Sequence, residues 1–434
     1  MLTLTGRNQA RYCDGLSRRN FLRIGAFGGA LTLADMLRLR AQAAEPPARP
    51  TPNKGVIMIF LSGGASQLDT YDLKPDAPKE IRGPYNPIKT KVSGIDICEA
   101  LPETAKVMDK IALLRTVVPA IDEHSDSNVM TGYSEVVNRV DPHPCFGSVV
   151  SKYLGGENGM PGFVSLRGMS RFGTEPAGLG LAHRPFTPSG PALENLSLPK
   201  GVSAERVADR RDLLTRFDTV RRDIDKSGSM DGMDAYTAQA FEMIASGAVR
   251  KALDVSQEPD KVRERFKGAE SVLLARRLVE AGVGCVTLSL GGYWDHHYEI
   301  FKSLPKSLPT LDRGVAALAA DLSERGLDQE ISVVVWGEFG RTPKINHGPS
   351  NAGRDHWAPV MSALVLGGGM RMGQVIGCTD SRGGYPKEKP YSVQQVMSTL
   401  YGRLGIDPSQ AFLSPAGRKM FILEDRDPVK ELVG

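Results

Sequence analysis

Cysteine is scarce in this chain of 434 residues. The five are Cys13, Cys98, Cys145, Cys285 and Cys378, and no two form a Cys-x-x-Cys pair. That spacing excludes a zinc ribbon and offers no disulfide framework. Cys285 sits in the apolar run from Val283 to Leu290, so the later thiols read as buried and free. Long apolar runs are missing too. No stretch reaches the roughly 20 apolar residues that a membrane-spanning helix needs. No internal repeat or sustained heptad stands out. Tryptophan is limited to Trp294, Trp336 and Trp357.

A surplus of charge is also missing once the first residues are set aside. The whole chain carries a formal net charge of +4. Residues 1–44 hold seven Arg against Asp14 and Asp35, which leaves 47 basic and 48 acidic residues in the remainder. Nucleic-acid binding therefore has no electrostatic footprint here. The basic start reads instead as a leader. Ser17-Arg18-Arg19-Asn20-Phe21-Leu22 has the form of a twin-arginine signal, followed by a Gly/Ala-rich apolar segment and Ala41-Gln42-Ala43, a small-x-small cleavage site. The expectation is a signal over 1–44, export by the Tat machinery to the periplasm or beyond, and a Pro-rich linker over 45–53. Charged residues at 24% and hydrophobic residues at 41% suit a globular remainder with a large core.

What is present centres on Ser332 to Trp357. Val333-Val334-Val335-Trp336 is β-branched with no polar alternation, as in a strand buried on both faces of a parallel sheet. Glu338 follows its end, then Arg341, then Arg354-Asp355-His356 in a loop. Ligand sites of open α/β sheets lie beyond the carboxyl ends of the strands. Two carboxylates and an imidazole there make a hard oxygen/nitrogen metal site.

Three other strand ends carry similar chemistry. Lys54 to Leu61 reads as a strand that runs into Ser62-Gly63-Gly64, with Asp69 and Asp72 beyond. Asp69 is a candidate ligand by position, although a turn or cap role would explain it as well. Ile111 to Val118 is a second strand, followed by Asp122-Glu123-His124-Ser125-Asp126. His124 is a candidate catalytic residue and Ser125 a candidate nucleophile at a helix start, where Ser and Asp are also common caps. Gly284 to Leu290 is a third strand, and Gly291-Gly292-Tyr293-Trp294-Asp295-His296-His297 follows it. In extended chain Asp295 and His297 point one way and His296 the other. All three Trp flank these clusters, which suits stacking on a sugar ring as well as plain burial.

Elsewhere the reading is coarser. Residues 160–200 are rich in Gly and Pro and read as an irregular excursion. Residues 203–282 read as a helical insertion. Leu311 to Arg325 is an amphipathic helix, Val360 to Leu366 a strand, and Gln374 to Asp380 an edge hairpin. Ser392 with Gln395 forms a capping box for a helix to Leu404.

The stretches KGVIMIFLSGGASQLDTYDLKPDAP, EIRGPYNPI, ICEALPETA, WDHH, GEFGRTP, GRDHW and GGYPKEKP together resemble the exported, sulfatase-like family called domain of unknown function 1501. The resemblance spans about residues 54–405. It implies a three-layer α/β fold with an alkaline-phosphatase/sulfatase-like core over 54–425 and a mostly parallel central sheet. It also implies one or two divalent metal ions at strand ends and hydrolysis of a sulfate or phosphate ester. Carried over by position, Asp69, Asp295, His297, Glu338, Asp355 and His356 would hold zinc, calcium or manganese. Arg341 or Arg354 would clamp the anion bidentately, and Ser125 or a water would attack. The substrate would be a small anionic ester or a sulfated or phosphorylated glycan. No Cys-x-Pro-x-Arg is present, so a formylglycine sulfatase is not expected. Glu338-Phe339 stands where the family of folds has an Asp-His pair, and counting back from Thr131-Gly132 puts the nucleophile slot near Asp122. A non-catalytic exported binding or assembly protein, or a polysaccharide-binding module, is the competing expectation.

Overall fold

The β-branched runs become strands because each can bury both faces. Numbering the strands of the main sheet, β1 is Gly55–Phe60, β2 Ile111–Val118, β3 Phe163–Ser165 and β4 Cys285–Ser289. β5 is Ile331–Trp336, β6 Met361–Gly367, β7 Gln374–Ile376 and β8 Tyr391–Ser392. This computed structural model describes residues 54–189, 247–414 and 416–434, with residues 206, 209, 240 and 243 between. The expected leader and linker lie outside the described residues, as do nearly all of the helices expected over 204–246.

The sheet order is β7-β2-β6-β5-β1-β4-β3, with β8 pairing the end of β2. Every pairing is parallel except the two that β6 makes with β2 and β5. Strands β1, β2, β4 and β5 therefore all point their carboxyl ends to one edge. β3 lies inside the stretch read as irregular; three residues are too few to show a period against the Gly and Pro around them. The Gln374–Asp380 stretch is also not one hairpin. Its first part is the parallel edge strand β7, and Cys378–Thr379 pairs with Pro386–Glu388.

Side chains alternate along β1 and sort the core into two halves. Ile57 and Ile59 face one cluster, and Val56, Met58 and Phe60 face the other. Of the helices, α1 is Pro102–Lys106, α2 Ser127–Thr131, α3 Phe146–Tyr153, α4 Glu270–Glu280, α5 Ile300–Glu324 and α6 Val393–Arg403. Helices α4 and α5 fill the first half; α2, α3 and α6 fill the second. The result is a three-layer α/β architecture within residues 52–434.

Two helices differ from expectation for physical reasons. The helix expected from Leu311 begins at Ile300 and runs through Pro305 and Pro309. Leu304, Leu308, Leu311, Val315, Leu318 and Leu322 make an unbroken buried stripe at helical spacing, which outweighs the lost proline N–H groups. The end of the stretch read as an insertion is part of a layer: α4 buries Val272, Leu273, Ala275, Leu278 and Val279 against the sheet. At α6 the Ser392–Gln395 capping box is formed.

Candidate metal centre

Chain geometry at the first strand end sets the site. After β1 the backbone turns at Gly63, whose φ is +102°. A Cβ there would lie 2.4 Å from the backbone nitrogen of Asp295, so only glycine allows the approach. Gly63 N–H then donates to Glu338 Oε1 at 2.7 Å, tying the end of β1 to the segment after β5. On the far side Gly353 allows a second close approach, since its Cβ would meet the carbonyl oxygen of His297 at 1.8 Å. Arg354 N–H donates to His296 O at 3.0 Å and seats the Asp355-His356 loop against the Asp295 segment.

These approaches bring His124, Asp295, His297 and His356 together, with one ligand atom from each within 4.8 Å of the others. Asp295 is the hub. Its Oδ1 lies 3.0 Å from His297 Nε2 and 3.3 Å from His356 Nε2, and its Oδ2 lies 3.1 Å from His124 Nε2. Asp295 and His297 face the same way, whereas His296 turns aside with Nε2 buried and unpartnered.

The outer nitrogens of two rings fix what the inner ones offer. His356 Nδ1 lies 2.8 Å from the Asp122 carbonyl oxygen, which can only accept. His297 Nδ1 lies 2.5 Å from Asp355 Oδ1. The Asp122 carbonyl draws the His356 proton to Nδ1, which turns the Nε2 lone pair of that ring inward when it is neutral, and the Asp355 carboxylate orients the His297 ring so that its Nε2 also faces inward. Those two Nε2 atoms are 3.0 Å apart. Two ring nitrogens and a carboxylate oxygen this close need a proton or a metal cation among them. Glu338 adds a second sign, since its buried Oε2 has no hydrogen-bond partner. The donor set thus fits a divalent metal ion on the shape of the site alone. Side-chain exposures of 37% for His124, 32% for His297, 21% for His356 and 16% for Asp295 leave the cluster open on one side. An open side suits a reactive metal rather than a closed structural one.

Electrostatics favour that assignment at Asp295 and His356 and work against it at His124. Burial works against charge on Asp295, but the hydrogen bond from Arg341 and the nearby imidazoles outweigh it and hold the carboxyl below its usual range. Burial and then the Arg341 charge push His356 down, favouring the neutral ring that a metal needs. His124 is pushed up, chiefly by its contact with Glu338, 3.5 Å from Nδ1. Phe339 lies under the cluster as a buried platform, with its ring stacked on His356 at 4.2 Å.

The other expected site residues are placed differently. Asp69 is not in the cluster. It is fully buried and accepts from Arg354 Nε at 2.8 Å and from Ser66 Oγ at 2.6 Å. Arg354 spends its remaining donors on the Ile81, Thr342 and Pro343 carbonyls, so it has none left for a substrate anion. Arg341 is likewise committed to the Gly63, Gly64 and Arg354 carbonyls and to Asp295 Oδ1, the last at 2.6 Å. Both arginines build the site instead of clamping an anion. Asp355 supports His297 rather than joining the four. His124, expected as a catalytic group, stands among the four residues that could hold a metal ion. Trp294 and Trp336 are buried and cannot stack on a sugar, and the half-buried Trp357 donates to Gly384 O at 2.5 Å. Nothing in the sequence pointed to the Asp122 carbonyl, because a backbone acceptor has no residue signature.

Ser125 lies in the wall of a cleft of about 430 Å³ that shares His124 and Glu338 with the cluster. Its Oγ accepts from Ser127 N–H at 3.2 Å, and it is near enough to Glu135 to help hold that carboxyl below its usual range. The helix α2 that follows is only one turn and ends at Gly132.

Fold and site together define an α/β protein with a His/Asp cluster, able to hold a metal ion, at the carboxyl edge of its sheet. The chain belongs to the family described as protein of unknown function (DUF1501), which matches residues 53–433. No curated protein matches it. Among solved structures it is similar to a sulfatase from Pseudoalteromonas sp., at 12% identity and a TM-score of 0.37, over 85% of this chain and 70% of that one. It is also similar to the alkaline phosphatase of the Antarctic bacterium TAB5, at 14% identity and a TM-score of 0.36, over 82% and 98%. A third is the lipoteichoic acid synthase LtaP from Listeria monocytogenes, at 8% identity and a TM-score of 0.32, over 84% and 75%. Likenesses this slight assign no residue a role.

Proposed function

We propose that this protein is an exported, metal-dependent hydrolase of sulfate or phosphate esters. One observation carries the reading: the Nε2 atoms of His297 and His356, 3.0 Å apart, converge on Asp295 Oδ1. His124, Asp295, His297 and His356 would hold the ion, with Glu338 beside them. Three imidazoles and a carboxylate favour zinc, with manganese next, over calcium, which prefers six or more oxygens. A bound ion of this kind supplies Lewis acidity toward the ester and toward attacking water.

The chain's own groups would do the rest. Arg341 fixes the rotamer of Asp295, Asp355 orients the His297 ring, and the Asp122 carbonyl draws the His356 proton to Nδ1. Ser125 opens onto the cleft, beside a Glu135 carboxylate that is ion-paired with Arg139. Small anionic esters and sulfated or phosphorylated glycans are the substrate class. Export rests on the twin-arginine pattern in residues 17–22.

The test uses the mature chain, residues 45–434, with His356→Ala and Asp295→Ala beside it. Elemental analysis should find about one metal ion per chain, lost in both variants. Aryl sulfates and aryl phosphates should then turn over only with metal, and Ser125→Ala should abolish turnover if the serine attacks. Wild-type protein that takes up no zinc, calcium or manganese would end this reading. One observation favours a second reading, a binding protein without catalysis: both arginines suited to an anion are buried and committed. Metal uptake with no turnover of any ester would support it.

A further inference from the structure

Resting on the hydrolase reading, we propose that the cleft beside the cluster selects ring-bearing esters that carry a second anionic group, and that Arg171 reads that group. The cleft is lined by His124, Glu338 and Tyr293, whose ring lies 6.1 Å from that of His124, and by Arg167, Arg171 and Phe172. Its volume of about 430 Å³ fits one sugar or aryl ring with its substituents.

The pairing of charges within the cleft isolates Arg171. Arg167 is spoken for: Nη1 is 2.8 Å from Asp126 Oδ2, and its guanidinium lies 4.3 Å over the Phe60 ring. Glu135 is paired with Arg139. Arg171 is exposed, and its charge reaches the cleft only as a longer-range pull on Glu135, whose own ion pair is with Arg139. Its guanidinium sits 5.2 Å from the Phe172 ring, which orients the planar fork without consuming its donors. Of the two guanidiniums lining the cleft, it is the one without a close carboxylate pair in the structure.

The aromatic groups say what lies between. Tyr293 is 57% exposed, unusual for so large an apolar surface, and its ring is tilted 31° to that of His124 at 6.1 Å. Tyr293 and Phe172 offer faces on which a ring can stack. A ligand whose ester reaches the cluster, whose ring meets Tyr293 or Phe172, and whose second anion meets Arg171 satisfies all three features. An ester with a single anion leaves Arg171 in water.

The experiment compares phenyl sulfate and phenyl phosphate with their 2-, 3- and 4-carboxyphenyl counterparts on the zinc-loaded mature chain. At least one carboxylated isomer should exceed its parent in kcat/KM by roughly 10-fold, through KM, as expected for one charge-assisted hydrogen bond. Arg171→Gln should collapse that ratio to near one, and Arg171→Lys should retain part of it. Arg184→Gln, whose guanidinium pairs with Glu175 outside the cleft, should keep the ratio. No preferred isomer, or a preference that survives Arg171→Gln, overturns the inference. If nothing turns over, the hydrolase reading falls separately. Calorimetric binding of the same phosphates then decides the subsite: Arg171-dependent binding of a carboxylated isomer supports it, and equal binding to wild type and Arg171→Gln overturns it.

Discussion

Arg354 Nε lies 2.8 Å from Asp69 Oδ2 with both side chains at 0% exposure, a buried ion pair between residues 285 apart in sequence. By motif both read as site residues. Their contacts make them a structural clasp instead, since every donor of Arg354 and both oxygens of Asp69 are used. Asp69→Ala should strand a buried guanidinium and cost about 3–5 kcal/mol of stability. Denaturant titration checks the loss. Zinc content per folded molecule should stay near wild type; loss of the metal from a variant that remains folded would return Asp69 to the site.

Asp355 should act through His297. Removing its acceptor frees the imidazole to rotate and to exchange tautomers, which typically costs 10–100-fold in metal affinity. Asp355→Ala should therefore weaken zinc binding by roughly that factor while its thermal midpoint without metal changes little. Competition with a chelating dye measures the affinity. An unchanged constant would mean that the 2.5 Å contact does not orient the ring.

Gly63→Ala should damage the site more than the fold. The new Cβ would collide with the Asp295 backbone at 2.4 Å, in a backbone conformation that L side chains rarely adopt. The segment carrying Asp295 and His297 must then shift. We expect a loss of about 1–3 kcal/mol in stability together with a larger proportional loss of zinc affinity. Equal zinc binding by the variant would show that the turn does not set the position of Asp295.

Saturation with metal should be visible as stability. Zinc at roughly a thousand times Kd should add about 4 kcal/mol, provided the unfolded chain does not bind it. Thermal melts with zinc and with a chelator check this, and His356→Ala should remove the difference.

His143 supplies a pH dependence away from the metal. It is buried, stacked on Tyr133 at 3.5 Å, and burial pushes its imidazole down to about 4. The unfolded chain protonates this group near 6.5, so as pH falls the unfolded state binds the proton first. Stability should fall between about pH 6.5 and 4, by roughly 3 kcal/mol at the lower end, and no further from this group below that. In His143→Phe the stacking remains and the titration is gone. Denaturant midpoints at pH 7, 5.5 and 4.5 should therefore fall less steeply than in wild type.

Much of the architecture is legible in the chain. Buried parallel strands announce themselves as unbroken β-branched runs, and β1, β2, β4 and β5 lie within a residue or two of those runs. Their common carboxyl edge then makes the Gly63, His124, Asp295 and Glu338 segments neighbours by rule. Strand β3 and the first turns of α5 are not legible. The first is too short to carry a period, and the second hides its helix behind Pro305 and Pro309.

The sequence by itself determined four strands of the sheet and the neighbourhood of the site, because hydrophobic period and strand-end position act over a few residues, while the layered architecture was implied by the family resemblance. Tertiary structure alone decided which polar side chains meet at the cluster and which are scaffolding. An arginine is an anion clamp or a clasp according to the acceptors that surround it. For Arg341 the carboxylate acceptor comes from 46 residues away, and for Arg354 from 285. The same holds for tautomers. His356 offers Nε2 to a metal because the fold sets the Asp122 carbonyl, 234 residues earlier, against its other nitrogen.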